Sequence, residues 1–163
     1  MSKNKTVYTL CFVQKQSQIL LGLKKRGFGE GLWNGFGGKL KKEETITSAA
    51  IRELKEESGL EALELEQLGI LEFEWRDNLE LLEVHIFKVL DFAGQIIETA
   101  EMKPVWFYLD EIPFNQMWPD DVYWIPLFLK GKKFKGRFLF DSRNLIVDYK
   151  LSVVSDLLLL KNQ

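Results

Sequence analysis

Residues 38–60 read GKLKKEETITSAAIRELKEESGL, and this stretch restricts the possible folds more than any other. A helix advances about 100° per residue, so with Glu53 set at zero Glu56 falls at about 300° and Glu57 at about 40°. The three carboxylates then share one face. Ile46, Ala49, Ala50 and Leu54 recur at spacings of three and four, which supplies the stripe that packs on a core. Thr45 offers an N-cap oxygen, and Gly59 stands where a left-handed C-terminal residue is wanted. The predicted helix is amphipathic and specified at both ends. Its acidic face differs from ordinary solvated charge, because clustered like charges repel one another and Arg52 alone cannot neutralise them. A hard divalent cation such as Mg2+ gathers carboxylate oxygens and shares itself with substrate phosphates, so this face is expected to hold metal.

Of the 163 residues, 46% are hydrophobic and 28% charged, enough apolar material for a full core. No repeat, low-complexity segment or Pro/Gly/Ser-rich linker divides the chain, and a single domain over 1–163 is expected. A net charge of −2 argues against a nucleic-acid polymer as the main partner, since binders of a phosphate backbone carry a basic excess. A small phosphorylated ligand held through metal is compatible with that charge. Cys11 is the only cysteine, which excludes an intramolecular disulfide and suits a reducing compartment. No segment approaches the ~20 apolar residues that cross a bilayer, and the N-terminus has no apolar leader core. A cytoplasmic monomer without membrane contact is expected, with a nuclear or mitochondrial share left open.

Residues 7–13 and 19–23 are apolar, β-rich runs around the polar QKQSQ, which predicts a hairpin. Residues 24–38 follow, with glycine at 27, 29, 31, 35, 37 and 38. Such a loop lets backbone approach a ligand closely, but it fits neither G-x-x-x-x-G-K-[ST] nor a dinucleotide fingerprint. Phe28, Trp33, Asn34 and Phe36 among these glycines offer flat apolar faces and an amide to a planar ligand. Residues 62–75 and 81–92 alternate partially around the turn RDNLE and read as two strands. His85, the only histidine, lies in the second. Lacking a neighbouring His or Cys, it supports neither a zinc site nor a nucleophile triad, and a satisfied packing role is expected.

Residues 95–101 read as a polar loop and 104–109 as a buried strand. In 117–129, Pro119 suits a first helical turn and Asp120 and Asp121 suit its positive end. Trp124, Leu127 and Phe128 would face inward, and Pro126 keeps the helix short. Two more strands are expected over 130–140 and 144–149, the lysines of the first guarding an exposed edge, followed by an apolar tail at 157–160.

Gly38, five residues, Glu44, seven residues, then Arg52-Glu53-Leu54-x-Glu56-Glu57-x-Gly59-Leu60 matches every defined position of the Nudix box. The chain thus resembles the hydrolases that cleave a nucleoside diphosphate linked to another group. Glu43 falls at a free position where many members carry glycine. The stretches KKRGFGEGLWNGFGGK, EMKPVWFYLD, IPFNQMWPDD and YWIPL are similar to the branch of the family that acts on oxidised purine nucleoside triphosphates. Trp75 and Leu82 stand where mammalian members of that branch carry Phe and Met, so a shift in ligand fit is expected.

The resemblance implies a Nudix α/β/α sandwich with a mixed β-sheet between helices. It implies hydrolysis of substrates such as 8-oxo-dGTP, 2-oxo-dATP and methylated purine triphosphates to the monophosphate and pyrophosphate. Mg2+, with Mn2+ as a substitute, would be held by Glu53, Glu56, Glu57, Glu101 and a backbone carbonyl of a Gly37-Gly38 turn, with Arg52 orienting the carboxylates. Glu57 or Glu101 would take the proton of the attacking water. Asp120 and Asp121, sharing one proton, would read the base, with Trp118 stacking on it, Asn34 adding an amide contact, Phe28 and Phe73 lining the pocket, and Thr9 and Lys24 completing the substrate contacts. Two alternatives stand beside this one: a Nudix hydrolase of ADP-ribose, dinucleoside polyphosphates or capped RNA, and a catalytically silent nucleotide-binding domain. The second would have lost a box carboxylate, and none is missing.

Overall fold

The computed structural model describes residues 3–157, so most of the apolar tail expected at 157–160 lies outside the described residues. The alternating runs become long strands. β1 (Asn4–Lys15) and β2 (Gln18–Lys24) form the predicted hairpin, with Val13 opposite Leu20. β5 (Glu61–Trp75) and β6 (Glu80–Ala93) pair antiparallel, as do β8 (Lys133–Phe140) and β9 (Ile146–Val154). β6 runs parallel to β1, and β5 parallel to β8. β3 (Trp33–Asn34) and β7 (Met102–Tyr108) flank β2. The main path of the sheet is therefore β3-β2-β1-β6-β5-β8-β9, with antiparallel and parallel pairs mixed.

β1 changes partner along its length. Its end at Val13–Lys15 pairs with β2, while Tyr8, Thr9, Leu10 and Cys11 pair with β4 (Phe36–Lys39). This close approach is why glycine sits at 37: a Cβ there would run into the Thr9 carbonyl. α1 (Ile46–Ser58) covers one face of the sheet through Ala50 and Leu54, packed with Cys11, Val13, Phe36 and Phe87. α2 (Asp121–Leu129) covers the other through Trp124, Ile125 and Phe128, packed with Phe12, Leu21 and Phe134. The mixed sheet between helices expected from the resemblance is present.

Four expectations need correction. The glycine-rich stretch is not all loop, since it contains β3 and β4, and only Gly27, Gly29 and Gly31 within it take positive φ. Pro119 precedes α2, and Ile125, which the pattern did not single out, is buried beside Trp124 and Phe128, while Leu127 packs half-buried against the same core. β8 is flanked on both sides, so its lysines guard no edge; β9 is the outer strand. β7 is mostly half-buried, with Met102 alone fully inside.

Candidate active site

α1 delivers the acidic groups. Thr45 Oγ1 accepts from the Ser48 N–H at 3.1 Å, and Gly59, at φ 84°, donates its N–H to the Lys55 carbonyl at 3.0 Å. With both ends fixed and Leu54 buried, the rotation of the helix is set. Arg52 then organises the outer carboxylates: Nε donates to Glu44 Oε2 at 2.6 Å, Nη2 to Glu44 Oε1 at 2.9 Å and Nη1 to Glu53 Oε1 at 2.8 Å, with Glu56 3.3 Å from Nη1. This guanidinium pulls the Glu44 carboxyl down to about 2 and is itself held more firmly protonated by Glu44 and Glu53.

Glu57 differs from its neighbours. It is buried, at 6% exposure, and its Oε1 accepts from the Gly37 N–H at 2.8 Å. Burial pushes its carboxyl up to about 7; the nearby negative charges of Glu53 and Glu101 push the same way, while Gly37 and Lys24 oppose. Of the three carboxylates expected on one face, Glu57 is the one that turns inward, where Gly37 presents only backbone. Glu101 approaches from the segment before β7. Arg26 and Lys24 hold it, Arg26 foremost keeping its carboxyl below the usual range.

A cavity of about 670 Å3 opens beside Glu57. Gly37, Gly38, Thr9 and Lys24 line it near the carboxylates, and Phe28, Asn34, Phe73, Trp118, Asp120 and Asp121 line the remainder. Phe28 and Trp118 lie 5.0 Å apart between ring centroids. Asn34 Oδ1 accepts from the Gly35 N–H at 2.8 Å, which leaves its amide hydrogens for a ligand. Asp120 and Asp121 are each only 3% exposed, and the Trp124 Nε1–H donates to Asp120 Oδ2 at 2.8 Å. Burial raises Asp120 to about 6; burial and then the Asp120 charge raise Asp121 well above its ordinary value. Thr9 Oγ1 and Asp121 Oδ2 are buried without a hydrogen-bond partner among the described residues, so both are free to serve a ligand.

All eight expected substrate contacts therefore meet in one cavity, joined by Glu57, Gly37 and Gly38, whereas Arg52, Glu53, Glu56 and Glu101 stand outside its lining. Gly37 and Gly38 belong to β4 and not to a turn. Trp124, whose indole supports Asp120, was legible only as a core residue, and Arg26, on Glu101, gave no signal beyond its place in a basic run. His85 is buried between Gln67 Nε2 at 2.7 Å and Glu83 Oε2 at 2.9 Å, the packing role expected of it. Burial pushes the Cys11 thiol far up, which leaves no thiolate nucleophile.

The donors suit a hard divalent cation. Glu53 and Glu101 are close enough to Glu57 for their negative charges to raise its proton affinity, and a Cβ at Gly38 would fall 2.5 Å from Glu53 Oε1, so the missing side chain leaves that carboxylate its place. Among the described residues no three His, Cys, Asp or Glu side chains are already drawn together as a metal cage; Arg52 holds Glu53 and Glu56, and Arg26 holds Glu101.

The NUDIX domain profile matches residues 3–128. The chain belongs to the NUDIX family. It is 50% identical over 149 residues to the oxidized purine nucleoside triphosphate hydrolase of Danio rerio, covering 91% of this chain and 96% of that one. Against the protein of the same name from Mus musculus it is 50% identical over 148 residues, covering 91% and 95%. Among solved structures, a mutator MutT protein from Bacillus halodurans superposes with a TM-score of 0.82 at 25% identity, covering 90% of this chain and 97% of that chain. Nudix hydrolases as a group use a divalent metal, and the Nudix carboxylates here are the ones just described. No helix among the described residues is long and apolar enough to cross a membrane.

Proposed function

We propose that this Nudix hydrolase cleaves oxidised purine nucleoside triphosphates, such as 8-oxo-dGTP and 2-oxo-dATP, to the monophosphate and pyrophosphate, and so clears them from the nucleotide pool. The observation that carries the reading is the buried Asp120–Asp121 pair, which shares one cavity with Glu57, Gly37 and Gly38. Two relatives at 50% identity are hydrolases of oxidized purine nucleoside triphosphates by name. Mg2+, or Mn2+ in its place, is the cation assigned to Glu53, Glu56, Glu57, Glu101 and the backbone of Gly37 and Gly38. When bound, it neutralises phosphate oxygens and lowers the pKa of water. We assign the whole chain, 1–163, to one domain acting as a cytoplasmic monomer.

The protein's own groups divide the work. Arg52 fixes the outer carboxylates at one edge of the site, and Lys24 sets a positive charge beside Glu57. Glu57 is the proton acceptor of the two candidates, because it is buried, held at Oε1 by the Gly37 N–H and lines the cavity that takes the substrate, whereas Glu101 lies outside that lining. Water oxygen attacks phosphorus of the α–β anhydride, its proton passes to the Glu57 carboxylate, and the P–O bond to the bridging oxygen breaks, the electron pair leaving on that oxygen as monophosphate and pyrophosphate separate.

At the base end, one proton resides on the aspartate pair. Ionised Asp120 accepts from the N–H groups of an oxidised guanine, while protonated Asp121 donates to O6. A base with the opposite pattern, as in an oxidised adenine, is met by moving the proton. Trp118 and Phe28 cover the ring, and the Asn34 amide adds a donor. A pyrophosphate-release assay over 8-oxo-dGTP, 2-oxo-dATP, methylated purine triphosphates, dGTP and ADP-ribose tests the assignment. Oxidised purines should be turned over best, and a preference for ADP-ribose would overturn it.

A further inference from the structure

The basic run Lys24-Lys25-Arg26 reaches across to the segment before β7 with all its side chains. Lys25 binds the two segments together: its N–H donates to the Glu101 carbonyl at 2.8 Å, and its Nζ donates to the Thr99 carbonyl at 2.9 Å and pairs with Glu98. The Arg26–Glu101 pair is therefore not needed as a tie. It is also too exposed to act as one, with side chains 64% and 40% accessible, since exposed ion pairs contribute little to stability. Its geometry is nonetheless tight. Arg26 Nε and Nη2 both lie 2.7 Å from Glu101 Oε1, while Lys24 Nζ stands 3.5 Å from Oε2. Both oxygens of a carboxylate assigned to metal are thus committed to protein cations.

We propose that Arg26 is a positioning residue that occupies Glu101 in the resting site and exchanges that carboxylate for the substrate's triphosphate when Glu101 turns to the metal. The proposal rests on the Nudix reading of the site. A planar guanidinium fork suits either partner, carboxylate or phosphate. Arg26 lies between Lys24 and Phe28, which both line the cavity, and its own side chain is 64% exposed, so the guanidinium has room to swing. Lys24, which faces Glu101, lines the same cavity as Glu57, which places this exchange beside the reacting groups.

The test is Mn2+ titration of the nucleotide-free protein, followed by the EPR signal of free Mn2+, on wild type, Arg26→Gln, Arg26→Lys and Lys103→Gln. Removing a competing cation should tighten Mn2+ binding by Arg26→Gln about two- to fivefold, the scale of an exposed ion pair. The same variant should lose more in KM for the triphosphate than in kcat, with Arg26→Lys recovering part of that loss. Lys103→Gln, an exposed lysine on the same segment that does not touch Glu101, should bind Mn2+ as wild type does. Unchanged or weaker Mn2+ binding by Arg26→Gln, an unchanged KM, or an equal shift in Lys103→Gln would each overturn the exchange and leave the Nudix reading standing. A wild-type chain that binds no Mn2+ would instead sink the metal reading, and the proposal with it.

Discussion

At Asp120 and Asp121 the burial that equips the pair to read a base also works against folding. The sign follows from the direction of the shift. Asp120 is raised from 3.8 to about 6, so the native state holds its proton more tightly than the unfolded chain, and stability is lost as pH climbs through that window. Asp120→Asn keeps an acceptor for the Trp124 indole while removing the ionisation. It should be more stable than wild type at pH 8 and differ little from it at pH 4, read by chemical denaturation at both pH values. Its catalytic cost should fall unequally on 8-oxo-dGTP and 2-oxo-dATP; equal losses in kcat/KM would refute proton exchange. Glu57→Gln should likewise fold well, since it relieves a buried charge and an amide oxygen can still accept from Gly37. Turnover should nonetheless fall at least ~100-fold, measured by pyrophosphate release. The identity of these residues was readable in the sequence because the box spacing and the WPDD stretch are local. The burial of Glu57 was not, because a helical wheel shows the direction of a side chain without showing that β4 presents bare backbone there.

The elements were legible in proportion to their apolar patterning. β1 and β2 carry continuous apolar runs, β5 and β6 a partial alternation over long stretches, and α1 its caps beside its stripe, so each was predicted close to its observed span. β3 and β4 were hidden, because glycine contributes nothing to a hydrophobic pattern and their pairing with β2 and β1 is non-local. The interior place of β8 was hidden for the second of those reasons. β4 yields a sharp contrast between two glycines. A Cβ at Gly37 meets the Thr9 carbonyl, a backbone atom that cannot move aside without parting β4 from β1, whereas Gly27 has open space and only its positive φ to lose. Gly37→Ala should destabilise by about 1–3 kcal/mol and reduce turnover as well, because it carries the Gly37 N–H away from Glu57. Gly27→Ala should cost only the left-handed strain of an alanine, about 1 kcal/mol. Urea denaturation of the two variants separates the effects, and equal losses would mean that β4 tolerates displacement.

Across the whole molecule, helix α1 and helix α2 pack separate cores on opposite faces of one sheet, and β1 carries residues of both: Cys11 and Val13 on the α1 side, Phe12 on the α2 side. The metal end and the base end are thereby fixed to the same strands, and a ligand touching both braces the two faces together. A divalent cation alone should therefore stabilise the fold, by about 1.4 kcal/mol at ten times its Kd, a rise in thermal midpoint of about 3 to 6 °C. The pH dependence of that rise carries a definite sign. Glu57 is raised from 4.5 to about 7, so in the metal-free protein its contribution becomes more unfavourable as pH rises across that interval. Cation binding needs the ionised carboxylate and relieves its crowding with Glu53 and Glu101. The stabilisation by Mg2+ should therefore be larger at pH 8 than at pH 5.5, and Glu57→Gln should lose most of both the rise and its pH dependence. Thermal melts with Mg2+ and with EDTA at the two pH values measure it. A rise that is larger at pH 5.5, or that survives intact in Glu57→Gln, would place the cation elsewhere on the protein.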